Sequence, residues 1–231
     1  MIRVSFLRAA WIVALKDLRI EWRTLETLTS SLVFALIVLV VFSFAFDLGT
    51  VRELGVDRLV PGVLWTVLAF TSVIGVARSM LLERRQDTLG ALFLSPVDRG
   101  SLFAGKFVAN LVKATVLELL LVPLSAVLFD YDLLAIAGPM LVVLLVHTVG
   151  LIALGTLFAA LATRIGRGEA LVATLLFPAA TPLFISAVKS TGALLAGDGL
   201  GGETSWLRLS LGFDLLYVVV ALFLFEFVLE E

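Results

Sequence analysis

Long apolar runs broken by short polar stretches set out this chain. Residues 1–23 are amphipathic: Val4, Leu7, Trp11, Leu15, Leu18 and Trp22 recur every three or four positions. Arg3, Arg8, Lys16, Arg19 and Arg23 fill the remaining surface, together with Asp17 and Glu21. A basic helix carrying a Trp/Leu stripe suits the headgroup plane of a bilayer. Residues 1–29 are therefore predicted to form an interfacial helix that runs into a spanning one; a soluble amphipathic helix packed on a partner is the alternative. Ser30 to Phe46 is the first predicted span, short but long enough to cross the hydrocarbon. Ser43-Phe44-Ala45 resembles a leader cleavage site, but the long acid-bearing segment before it is unlike a short basic leader.

Asp47 to Leu59 reads as a polar loop, and Pro61 opens a second span through Leu82, where a proline gives up no available hydrogen bond. Arg78 near its far end is placed to snorkel. Glu83 to Lys106 is the most charged internal stretch, too polar to cross. Within it Leu89, Leu92 and Phe93 fall at i, i+3 and i+4, so a short helix there has one greasy face and one charged face. Apolar sequence then runs to Phe129, Asp130-Tyr131-Asp132 makes a tight polar turn, and Leu133 to Thr163 is the fourth span. Its small residues, Gly150, Ala153, Gly155, Ala159 and Ala160, allow close helix contact in lipid. A basic turn over residues 164–168 leads to a fifth span from Ala170 to about Val188, predicted to be kinked or broken at Pro178 and Pro182. Lys189 to Trp206, rich in Gly with Ser and Thr, is predicted to be an exposed loop, and Leu207 to Leu229 is the sixth span, interrupted by Asp214. The expected architecture is one all-α membrane domain over residues 1–231. It has six transmembrane helices, the interfacial helix, and a cytoplasmic coupling segment at 83–100 between spans 2 and 3.

Composition excludes the soluble alternatives. With 61% hydrophobic and 16% charged residues and a mean hydropathy of +1.12, the apolar excess must face lipid. A net charge of −2 provides no basic field for nucleic acid. Without cysteine there is no disulfide, thiolate metal site or cysteine nucleophile. The positions of the cations fix the predicted orientation. With the N-terminus inside, the cytoplasmic side carries Arg3, Arg8, Lys16, Arg19, Arg23, Arg78, Arg84, Arg85, Arg99, Lys106, Arg164 and Arg167. The outer side has only Arg52, Arg58, Lys189 and Arg208. Both termini and the charged segment are thus expected in the cytoplasm.

Several polar groups fall inside the spans. Lys106, Asn110 and Lys113 share one face of the third span, with Glu118 roughly 140° round the helix from Lys113. Such groups usually face a bundle interior or a watery groove, so these four form a candidate intramembrane polar path. Snorkelling lysines and a structural Glu118 are the plainer alternative. His147 is the single histidine; it could ligate haem or a metal with help from another chain, or simply hydrogen-bond a neighbouring helix. There is no GxxxxGK[ST] and no HExxH, so ATP hydrolysis would be supplied by another chain, and a two-histidine zinc site is impossible.

Two runs carry a family resemblance: RLVPGVLW from Arg58, and ERRQDTLGALFLSPVDRGSLFAGKFVANL from Glu83. Together with RIGRGEALVATLLFPAATPLFISA from Arg164 they resemble the CcmB family. That family is the permease subunit of the haem-exporter ABC complex of cytochrome c maturation, with an ABC-2 type layout. The string Leu92 to Arg99 followed by Gly105-Lys106 is its most specific part. The resemblance implies a non-catalytic subunit of the bacterial inner membrane that binds no cofactor directly. ATP and Mg would act on a partner ATPase, and haem would be handled by the complex. It also implies a CcmA-like ATPase partner pressing on Glu83, Arg84, Arg85, Asp87, Leu89, Leu92 and Phe93. The other implied partners are a haem-handling membrane protein, a small single-span subunit and a periplasmic haem chaperone, and two ATPases would call for a homodimer. Where the family often has Asp-Gly and a glutamate around the first leucine, this chain has Gln86, Asp87 and Gly90. The salt bridge that glutamate makes is here absent or supplied by Asp87 or Glu83. Two rival readings stand beside this one: an ABC-2 permease for a lipid, drug or glycan, and an integral-membrane enzyme using Glu118, Lys113 or His147.

Overall fold

The computed structural model describes residues 5–46, 48–85, 98–165, 169–201 and 204–228. These residues are helical nearly throughout: α1 Phe6–Thr24, α2 Glu26–Ala45, α3 Leu48–Leu54, α4 Val56–Arg85, α5 Arg99–Phe129, α6 Leu133–Ile165, α7 Glu169–Ala196 and α8 Thr204–Val228. Six of them, α2 and α4 to α8, are long and apolar enough to cross a membrane. In lipid every backbone group must find its partner within the protein, which is why such sequences become helices.

The joints are short, and local chemistry explains them. Asp130 takes a left-handed conformation (φ 55°) and closes α5 by donating its N–H to the Ala126 carbonyl. Two residues later Asp132 caps α6, its carboxylate accepting from the backbone N–H groups of Leu134 (3.0 Å) and Ala135 (3.3 Å). Between them the Tyr131 hydroxyl lies 2.7 Å from Ser125 Oγ. Burial pushes this phenol up from its ordinary value, and the Ser125 bond partly offsets that. The predicted tight turn is therefore two caps back to back.

Three sequence expectations need correction. The predicted interfacial segment 1–29 is divided at Leu25, where the chain turns left-handed (φ 51°), so the first span starts at Glu26 rather than Ser30. The predicted polar loop 47–59 contains helix α3, which forms because Val51 is driven into the core, at 1% exposure. Of the kink or break predicted at Pro178 and Pro182, the break does not occur: α7 continues through both prolines to Ala196. As a result, the first eight residues of the predicted loop Lys189 to Trp206 are helical. The small residues there are packing contacts rather than turn formers. Thr191 accepts the Trp65 indole N–H at 2.9 Å. A Cβ on Gly192 would sit 3.0 Å from the Asp57 carbonyl, the one that Pro61 leaves without its helical donor.

Helix α6 packs on α4, α5, α7 and α8, while α1 packs chiefly on α5. The apolar interior divides into two clusters. One gathers Val73 to Met80, Leu102, Phe103, Leu151 to Leu157, Leu176, Leu183 and Phe225. The other gathers Leu39, Val60 to Leu68, Leu117 to Phe129, Met140 to Leu144 and Leu194. Buried polar side chains lie between the two clusters on three helices: Thr71 and Ser72 on α4, His147 and Thr148 on α6, and Ser186 on α7. A polar seam thus crosses the bundle between two dry cores.

Candidate functional site

The four residues of the predicted polar path, Lys106, Asn110, Lys113 and Glu118, are all buried. The structure divides them between two settings. Lys106 belongs to the contact of α1 with α5. Its ammonium lies 2.7 Å from Asp17 Oδ2 and donates to the Ser79 carbonyl at 3.3 Å. Close backbone approach makes this contact possible: a Cβ on Gly105 would fall 2.6 Å from both the Ala10 carbonyl and the Val13 Cβ. The helices run in the same sense, with Phe6 against Gly100, Ala10 and Val13 against Gly105, and Asp17 against Lys106. Glu21, one turn beyond Asp17, is also buried, and its carboxylate accepts the Leu28 N–H at 2.9 Å. It thereby caps the start of α2 and braces the elbow at Leu25. Both carboxylates lie close enough to attract the Lys113 ammonium.

Asn110, Lys113 and Glu118 face a different setting, a cavity of about 20 Å³ shared with Thr27 and Ser31 of α2 and Thr71 and Ser72 of α4. Asn110 donates its amide N–H to Thr156 Oγ1 at 3.2 Å. Glu118 Oε1 accepts from the Thr148 hydroxyl. Asn110 Oδ1, Glu118 Oε2 and Ser31 Oγ are buried with no protein partner among the described residues. Lys113 and Glu118, five residues apart in sequence, thus do meet one space.

His147 is tied up within the chain. Its Nδ1 lies 2.6 Å from the Val143 carbonyl, so Nδ1 carries a proton, and Nε2 lies 3.0 Å from Ser186 Oγ. Ser186 in turn accepts from Ser210 at 2.7 Å, and the imidazole packs on Trp65 with centroids 5.4 Å apart. Of the two readings of this histidine, the geometry matches the bond to a neighbouring helix. An apolar groove of about 360 Å³ lies on the other side of Trp65, between α4 and α7, walled by Phe70, Phe177 and Phe184.

Of the predicted coupling residues, Asp87, Leu89, Leu92 and Phe93 lie outside the described residues, as do the side chains of Glu83, Arg84 and Arg85. Sequence reasoning missed Asp17, Glu21, Ser31 and Thr148. The signal for the first two was present: Ala10, Ala14, Asp17 and Glu21 make a small-and-acidic stripe at helical spacing, and that stripe faces inward. The bulky Leu7, Trp11 and Trp22 face outward, at 78%, 58% and 57% exposure.

Six spanning helices around a buried polar seam define a multi-pass helical membrane protein. The chain belongs to the CcmB protein family, whose family model matches residues 8–230. It is similar to heme exporter protein B of Bradyrhizobium diazoefficiens, 27% identical over 184 residues that cover 79% of this chain and 80% of that one.

Proposed function

We infer that this chain is the permease subunit of an ABC-type complex that exports haem or releases a haem-loaded periplasmic chaperone in cytochrome c biogenesis. The observation that carries this reading is the family match along almost the whole chain, onto a bundle with the right number of spans. It is a transport subunit rather than a catalyst, and a separate ATPase supplies the energy. It resides in the bacterial inner membrane with both termini in the cytoplasm. Removing the buried Lys106 from the count of inner cations still leaves eleven against four. The ATPase bears on residues 83–100, through Leu89, Leu92 and Phe93 with Glu83, Arg84, Arg85 and Asp87 around them. A homodimer provides one such surface for each of two ATPases. The haem-handling membrane protein, the single-span subunit and the chaperone complete the assembly.

In the membrane, the outward Trp/Leu face of α1 lies at the headgroups, and its inward face grips α5. Force received at 83–100 enters directly at the ends of α4 and α5, the two helices that wall the polar cavity together with α2. The test is co-purification with candidate ATPases, using Leu92→Asp/Phe93→Asp as the variant. Loss of the ATPase with the bundle still folded is expected, and unchanged co-purification would sink the assignment. ATPase rates with and without haem-loaded chaperone then separate a cytochrome-maturation permease from one for lipid, drug or glycan.

A further inference from the structure

We propose that Ser31, Asn110, Lys113 and Glu118 form a binding site for a single water molecule, which joins α2 to α5 inside the membrane. The case rests on geometry and on hydrogen-bond capacity. All four residues line the same cavity, and its volume of about 20 Å³ matches one water. Ser31, Asn110 and Glu118 are 0%, 2% and 3% exposed, and each carries an oxygen without a protein partner among the described residues. Leaving three such atoms dry in hydrocarbon surroundings is costly, and native proteins avoid it.

The donors and acceptors available fit water better than any ion. Asn110 Oδ1 and Glu118 Oε2 accept only, when the acid is ionised. The Ser31 hydroxyl and the Lys113 ammonium donate. A water molecule offers two donors and two acceptors, so it can give to Asn110 and Glu118 while receiving from Ser31 and Lys113. A bare alkali cation would find the three oxygens but would lie against the Lys113 charge. An anion would meet Glu118. Lys113 has two further N–H groups, which leaves it able to respond to Asp17 and Glu21 of α1 as well. The charged groups facing the site are therefore Glu118 and Lys113 on its wall, with Asp17, Glu21 and Lys106 behind. The water makes Lys113 and Glu118 a bridged pair despite their positions on different sides of α5. It also gives α2, which is otherwise mostly lipid-facing, a polar latch at Ser31. This site stands whether or not an ATPase drives the chain.

Thermal unfolding of the full chain in nanodiscs tests it, comparing Ser31→Ala with Ser31→Val. Alanine leaves room for the water, and a drop of a degree or two is expected. Valine fills the space, evicts the water and strands Glu118 and Asn110, so a drop of several degrees more is expected. A valine variant as stable as the alanine variant, or more stable, would mean a dry cavity and overturn the proposal. Unfolding temperatures that rise with sodium but not with choline at equal ionic strength would also overturn it, by making the site one for a cation. If Ser31→Val does not assemble, X-ray hydroxyl-radical footprinting of the unsubstituted protein decides instead. Ile152 lines the cavity and is 1% exposed, so oxidation above that of the equally buried Leu176 is expected. Oxidation no greater than at Leu176 would sink the site.

Discussion

Lys106 and Glu118 sit about three turns apart on one helix and are equally shielded, at 3% exposure each, yet their surroundings differ. Lys106 has a direct carboxylate partner at 2.7 Å and a backbone carbonyl besides, within a contact so close that only glycine fits at position 105. Glu118 has one oxygen engaged by Thr148 and the other turned to a cavity. A charge enclosed by its partners holds two helices together and has little else to do. An acid left half-engaged beside a small space, between helices expected to move, is where chemistry can change during a cycle. The sequence places both residues in one polar path; the structure separates an anchor from a site.

The anchor should be the more costly of the two to disturb. Lys106→Met leaves Asp17 with only the part-exposed Lys16, 3.1 Å from Oδ1, and is expected to destabilise the bundle by about 3 kcal/mol, the low end for a broken buried pair. Adding Asp17→Leu should recover most of that, since a buried pair replaced whole by apolar side chains is often neutral. Thermal unfolding of the two variants checks it, and an undamaged Lys106→Met protein would remove the anchor from the comparison. Next comes Gly105→Val, whose added carbons meet the Ala10 carbonyl and Val13. A loss of about 1–3 kcal/mol is expected, read by unfolding and by protease access to α1. The smallest change in stability belongs to Glu118→Gln, under about 1 kcal/mol because the amide oxygen still accepts from Thr148. Its effect should appear in turnover, with the complex assembled but its ATP-driven step slowed. Loss of the assembled complex instead would make Glu118 a second anchor and erase the distinction.

The spans were legible because twenty-odd apolar residues in a row have one stable outcome in lipid. The DYD turn was legible because aspartate caps helices and tolerates a left-handed backbone. The end of α7 was not. Gly192 and Thr191 look like loop residues by composition, and only the position of Asp57 and Trp65 across the interface shows why small groups belong there. The inner face of α1 was hidden for a related reason. Leu7, Trp11 and Trp22 dominate a hydrophobic pattern, so the stripe of alanines and acids opposite reads as background until its partners at Gly105 and Lys106 are known. Likewise no spacing rule connects Ser31 with Glu118, because the two share a space only after α2 and α5 pack side by side.

The pairing of Asp17 with Lys106 has a consequence for biogenesis. Asp17 leaves the ribosome well before Lys106, with only the neighbouring, part-exposed Lys16 to pair with, and while it waits, hydrocarbon is a costly place for it. The first helix must therefore idle in water or among the phosphates while its neighbour threads into the bilayer. It can settle against α5 only once that later helix has arrived, so α1 takes its seat well after it is made.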